Sequence, residues 1–127
     1  MKFYIASGLD NKEKVQLVRD KLLESGHTHT YDWTKNNRAS TEEELRKIGT
    51  DERNAVLESD VVIVLLPGGK GTHTELGMAI GLEKEIYLFS SDKLDPTTAT
   101  TFYYVDGINH YDGDIDSFVS YLIELDR

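Results

Sequence analysis

The chain has 127 residues, 39% of them hydrophobic, with two prolines, no cysteine and a formal net charge of −9. That composition suits a single domain over residues 1–127 with an ordinary core, and it excludes disulfides and thiolate metal sites. The acid excess, without any run of Lys or Arg, argues against a nucleic-acid polymer as partner. No apolar run approaches the roughly 18 residues of a membrane-crossing helix.

In chain order, "KFYIAS" (Lys2–Ser7) is rich in β-formers and predicts a first strand. It follows so closely on the start that "MKFYIASG" reads as a strand rather than a signal peptide, and a cytoplasmic location is expected. "NKEKVQLVRDKLLESG" predicts a helix with Val15, Val18 and Leu22 on one face and Gly26 as its stop. "HTHTYDW" (His27–Trp33) alternates and predicts a second strand, followed by the polar loop "TKNNRAS". A long helix then runs from Ser40 or Thr41, each with a Glu three residues on, to about Glu58. Its Leu45, Ile48 and Ala55 follow core spacing, and Glu52 falls on the same stripe. Val61–Leu66 predicts a strand buried on both faces, with Asp60 a structural residue at its start. A helix over Thr72–Leu82 and a strand over Glu85–Phe89 come next, then a loop over Ser90–Thr101. Phe102–Val105 is the candidate fifth strand. Asp114–Leu125 predicts a closing helix, with Asp114 as N-cap and Phe118, Tyr121 and Leu122 on one face.

Strands alternating with helices predict βαβ units, hence a three-layer α/β domain of flavodoxin-like or Rossmann-like type with a mostly parallel sheet of about five strands. In such sheets ligands bind at the carboxyl ends of the strands. Those ends bring Tyr4, Ser7, Gly8, Trp33 and the loop "PGGKGTHTE" toward one crevice. The loop fits no familiar nucleotide motif. A P-loop needs Gly at position 64 and Ser or Thr after Lys70, where Val64 and Gly71 stand, and the dinucleotide pattern needs Gly where Thr74 stands. A receiver domain's acceptor Asp is also missing from a strand that ends in Leu66-Pro67. What the loop does offer is close backbone approach through Gly68, Gly69 and Gly71, with Lys70, Thr72 and His73 as polar neighbours.

Glu75 has two readings on the residues alone. Thr72-His73-Thr74-Glu75 is a capping box, in which Glu75 bonds back to the helix start. Alternatively Glu75 and Glu52 are two acids beside one crevice, the equipment for glycosidic cleavage. Gly77 and Gly81 leave a bare stripe on the same helix, as close approach by another backbone or a partner subunit requires. Trp33 and Phe102-Tyr103-Tyr104 are candidate base-stacking surfaces. His27-x-His29 lacks a third ligand, so no metal site is expected.

"FYIASG", "SDVVIVLLPGG" and "TELGMAIGLEKEIYLF", in that order over residues 2–90, resemble the nucleoside 2-deoxyribosyltransferase family, which includes the 2'-deoxynucleoside 5'-phosphate N-hydrolases. The resemblance implies a nucleoside or nucleotide as substrate, no cofactor, and a homodimer or larger homo-oligomer. It implies that the Glu of "ELG", Glu75, is the nucleophile, that Tyr4 orients it, and that Glu52 assists the leaving base, with neighbouring Asp51 as the alternative. An acid near a helix N-terminus is also stabilised in the ionised form a nucleophile needs. Where the N-hydrolases carry a basic residue for the 5'-phosphate, this chain has Asp10, leaving Lys12, Lys70, Thr72 or His73 for that contact. The family completes its sites from a neighbouring subunit in the segment that here reads "SSDKLDPTTATTFYY". Transfer to a base and transfer to water both fit this resemblance. The rival readings are a non-catalytic nucleotide-binding or sensor domain and a hydrolase of another nucleotide N-glycoside.

Overall fold

The computed structural model describes residues 1–125; the predicted single domain over 1–127 extends two residues outside them. Five parallel strands form one sheet in the order β2-β1-β3-β4-β5: β1 Lys2–Ser7, β2 Thr28–His29, β3 Val61–Leu65, β4 Glu85–Ser90 and β5 Ile108–Asp112. Four helices cover it: α1 Lys12–Glu24, α2 Glu42–Glu58, α3 Lys70–Gly81 and α4 Ile115–Leu125. Helices α1 and α4 pack together, as do α2 and α3, which gives the three layers of a flavodoxin-like α/β domain.

Each layer follows from its residues. Strand β3 is "VVIVL", and all five side chains are buried, each contributing about 1.5–3 kcal/mol through the area it removes from water. Val15, Val18 and Leu22 of α1 are fully buried, and Phe118, Val119 and Leu122 of α4 are buried with them. Thr41, one of the two predicted starts, caps α2 by accepting from the Glu44 N–H at 3.1 Å, and its hydroxyl donates to the Glu44 carboxylate at 2.9 Å. Asp114 caps α4 by accepting from the Ser117 N–H at 3.0 Å. Asp60 fastens the sheet's lower edge, accepting from the Lys2 N–H at 2.9 Å.

Three local expectations need correction, and a fourth is narrowed to one of its two alternatives. The second strand is only Thr28–His29, not His27–Trp33. Beyond it a 3-10 turn, Trp33–Lys35, is capped by Asp32, and the Trp33 Nε1–H donates to the Ile5 carbonyl at 2.7 Å. An indole thus takes the place of a strand partner, and the ladder ends. The fifth strand is Ile108–Asp112, whereas Phe102–Val105 falls largely in a 3-10 turn, Thr101–Tyr104. Leu45, expected in the core, is 58% exposed, and Ile48 is only half-buried. A 17-residue helix is about 25 Å long while a five-residue strand spans about 17 Å, so the first turns of α2 overhang the sheet. Finally, Gly77 and Gly81 have no atom of this chain within 4 Å of where a Cβ would stand, so no neighbouring backbone of the chain approaches the stripe.

Candidate active site

Strands β1 and β3 are neighbours in the sheet, yet their following helices leave in opposite directions. The chain therefore parts above their carboxyl ends, the place where ligands bind in this topology. A cleft of about 600 Å³ opens there. Its walls come from the turn after β1 (Ser7, Gly8, Leu9, Asp10), Trp33, Glu52 of α2, the loop Pro67–Gly69, and Lys70, Gly71, Thr72 and Glu75 of α3.

The two loops that frame the cleft are fastened to each other. Ser7 Oγ donates to the Leu65 carbonyl at 2.6 Å. Asn11, only 8% exposed, donates through Nδ2 to Ser7 Oγ at 3.0 Å and to the Pro67 carbonyl at 3.2 Å. Sequence reasoning misses Asn11, whose one signal is that it is a polar residue opening a helix immediately after a strand end. Gly8 completes the join: its N–H donates to the Pro67 carbonyl at 3.3 Å, and a Cβ there would stand 3.1 Å from that oxygen. Gly68 is needed for a different reason. Buried Thr72 packs over its Cα so closely that an added Cβ would lie 2.4 Å from the Thr72 side chain. Gly68→Ala must therefore push α3 away from the loop. It is expected to destabilise the fold by about 1–3 kcal/mol, read as a fall of several degrees in melting temperature.

Beneath the cleft lies Tyr4, with no exposed surface, on the β1 face that looks toward α2 and α3. Its hydroxyl donates to Glu75 Oε2 at 2.7 Å and stands 3.4 Å from Glu52 Oε2. A phenol has one proton, so the short contact takes it and the two carboxylates are not equivalent. Burial, then the charges of Glu75 and Glu52, hold the Tyr4 phenol far above the usual tyrosine range. It remains a donor at any working pH.

Glu75 is 8% exposed. Burial first and the charge of Glu52 second push its pKa up to about 8, against the Tyr4 hydrogen bond, which favours the ionised form. Glu52 is raised as well, chiefly by burial, with Asp51 adding to it and the Tyr4 contact opposing. Two buried carboxylates around one hydroxyl titrate as a coupled pair, the charge of either one opposing ionisation of the other. The capping reading of Glu75 does not survive. Helix α3 begins at Lys70 with Gly69 as N-cap, two residues before the predicted start, so Glu75 lies beyond the first turn and its side chain turns inward to Tyr4. Burial and the charge of Glu52 oppose the ionised form that the helix terminus is expected to favour at Glu75.

The structure thus brings Tyr4, Glu52 and Glu75 together, with Ser7, Gly8, Trp33, Gly68, Gly69, Lys70, Gly71 and Thr72 around the opening. Asp51 does not join them: its carboxylate pairs with Lys47 at 3.0 Å, one turn back along α2. His73 also turns elsewhere, bonding the Gly69 carbonyl and the Tyr103 hydroxyl. Residues two apart on a helix point about 200° apart, so His73 and Glu75 cannot share a face, whereas Thr72 and Glu75 can. Among the described residues, no three His, Cys, Asp or Glu side chains converge as metal ligands. No helix among them is long and apolar enough to cross a membrane.

A profile of the nucleoside 2-deoxyribosyltransferase family matches residues 3–109. No curated protein sequence matches the chain. Among solved structures, the CMP N-glycosidase of Clostridium botulinum superposes with a TM-score of 0.71 at 17% identity, over 96% of this chain and 98% of that one. The 2-deoxyribosyltransferase of Bacillus psychrosaccharolyticus gives 0.70 at 20% identity, over 95% and 92%. The fold is the same in all three, and the chain belongs to the nucleoside 2-deoxyribosyltransferase family.

Proposed function

We propose that this member of the nucleoside 2-deoxyribosyltransferase family cleaves the N-glycosidic bond of a 2'-deoxynucleoside or its 5'-monophosphate through a glycosyl ester on Glu75. The observation that carries this reading is the 2.7 Å bond from a fully buried tyrosine to a buried carboxylate at the foot of the cleft, with a second carboxylate beside it. In the first step a Glu75 oxygen bonds to the anomeric carbon. The C–N bond breaks with its electron pair going to the base, which takes the shared proton from Glu52. In the second step water or another base attacks the same carbon while Glu52 accepts its proton, and the ester oxygen leaves with its pair on Glu75. Glu75 must be ionised to attack; its Tyr4 hydrogen bond favours that form, against the burial and the Glu52 charge that together raise its pKa to about 8. No cofactor takes part in either step.

Trp33 and Leu9 offer apolar surface to the base, and Lys70 with the loop Gly68–Thr72 offers backbone and charge to the sugar or phosphate. We further propose a homodimer or larger assembly acting in the cytoplasm. The overhanging turns of α2 and the bare Gly77/Gly81 stripe of α3 together offer a face for a second copy. Sedimentation giving a monomer at micromolar concentration would overturn that part.

The direct test incubates the protein with the four deoxynucleosides, their 5'-monophosphates and CMP, with and without an acceptor base, and follows free base and exchanged nucleoside by chromatography. Base release or exchange is expected from at least one deoxy donor. Binding without turnover would favour the non-catalytic nucleotide-binding reading, and release from CMP alone the ribonucleotide one. Tyr4→Phe leaves the Glu75 carboxylate without its donor. It is expected to lower kcat about 100-fold with little change in KM, because the lost bond acts on the reacting group.

A further inference from the structure

The glycine loop has two braces, and only one of them is part of the cleft. Thr72 packs on Gly68 from inside, but around the exposed Gly69 no atom lies within 4 Å of where a side chain would begin. What holds Gly69 is its carbonyl. That oxygen accepts from the His73 N–H at 3.2 Å and bonds His73 Nδ1 at 2.7 Å. A carbonyl can only accept, so Nδ1 carries the proton, and in the neutral ring Nε2 accepts from the Tyr103 hydroxyl at 2.6 Å. The two rings also stack, centroids 5.7 Å apart at 30°. Tyr103 is itself fixed: it is 8% exposed, sits in the turn Thr101–Tyr104, and its carbonyl is bonded by His110 Nε2 of β5. A continuous line of contacts therefore runs from the edge strand β5 through Tyr103 and His73 to the wall of the cleft.

We propose that His73 and Tyr103 are positioning residues: through the Gly69 carbonyl they hold the glycine loop in the shape that receives the substrate's sugar, without touching substrate themselves. This rests on the glycosidic-cleavage reading of the cleft. The pair sets how well the wall fits a bound ligand, whereas the reacting group, Glu75, is held separately by Tyr4. Loosening the wall weakens ground state and transition state alike, and KM rises while kcat stays.

Tyr103→Phe removes one hydroxyl and keeps the ring, His73→Ala removes both bonds, and His73→Asn restores a donor to the Gly69 carbonyl without reaching Tyr103. Amide hydrogen exchange over residues 67–74 is measured beside KM and kcat for the best deoxy donor. For Tyr103→Phe, exchange in that segment is expected to quicken about 5-fold and KM to rise about 5- to 10-fold, with kcat within about 2-fold and exchange in β1, β3 and β4 unchanged. His73→Ala is expected to show the larger effect and His73→Asn to recover part of it. Unchanged exchange over 67–74 in both Tyr103→Phe and His73→Ala would overturn the proposal, as would acceleration spread evenly through the strands, which reports general destabilisation. If the wild-type protein releases no base from any donor, the cleavage reading fails, while exchange still decides whether the pair orders the loop.

Discussion

Glu75→Gln is expected to remove base release, by about 10⁴-fold or more, and to make the folded protein more stable at alkaline pH. The first effect follows from chemistry: an amide oxygen is too poor a nucleophile to form the ester, and nothing else in the cleft replaces it. The second follows from burial. The Glu75 carboxyl ordinarily titrates at 4.5 and here at about 8, so the folded state holds its proton more tightly than the unfolded chain does. The stability this provides is complete below 4.5, declines as pH rises, and is gone once pH passes 8. A shift of that size corresponds to on the order of 3–5 kcal/mol, shared with Glu52 because the two titrate together. Glutamine carries no charge at any pH and escapes the loss. The melting temperatures of wild type and variant are therefore expected to agree near pH 5 and to separate by roughly 10 °C near pH 9. A variant that loses activity because it unfolds would show the opposite sign.

Glu52→Gln is expected to lower kcat about 10²- to 10³-fold for donors with a poor leaving base and to change the shape of the pH profile. With both carboxylates present the active form holds one proton in the pair. Activity should then fall in alkali, where that proton is lost, and fall again in acid, where a second is gained. Glutamine at 52 has no proton to lose, so the alkaline limb should vanish. Removing the charge of Glu52 also lets Glu75 ionise at lower pH, since that charge is the second cause of its raised pKa. Profiles of kcat/KM for the two proteins between pH 4 and 10 would test this; an alkaline limb that persists in the variant would assign it to another group.

Much of this site is legible in the amino-acid order. Strand β3 declares itself because a strand buried on both faces must be apolar throughout, and its glycine loop because only glycine leaves room for the Thr72 side chain over Gly68. Glu52 stands out as a carboxylate on an otherwise apolar stripe, and its half-buried place beside Tyr4 explains why it is there. The failures also have physical causes. Strand β5, "INHYD", is an edge strand whose Ile108 and Tyr111 are only partly buried, so burial imposes little pattern on it. The aromatic run at 102–104 looks more like a strand but alternates differently: Tyr103 turns in while Phe102 and Tyr104 remain 60% and 47% exposed. Placing His73 in the cleft equates nearness to Glu75 in sequence with nearness in space. A helix start two residues earlier gives α3 a full first turn at Lys70–His73, and the roughly 200° between positions 73 and 75 sends the imidazole to Tyr103. The short second strand is hidden for a related reason. Trp33 has strong β propensity, yet its indole N–H finds a better use on the Ile5 carbonyl than its backbone would in the ladder.

The central claim is that Glu75 becomes covalently bonded to the sugar. The most direct measurement is acid-quenched mass spectrometry of the protein during turnover of its best deoxy donor, with no acceptor base, followed by peptide mapping. A mass increment of one deoxyribosyl unit, or its phosphate, on the peptide carrying Glu75, absent in Glu75→Gln and discharged on adding an acceptor base, is the predicted result. Steady base release by Glu75→Gln at the wild-type rate, with no adduct in either protein, would contradict it.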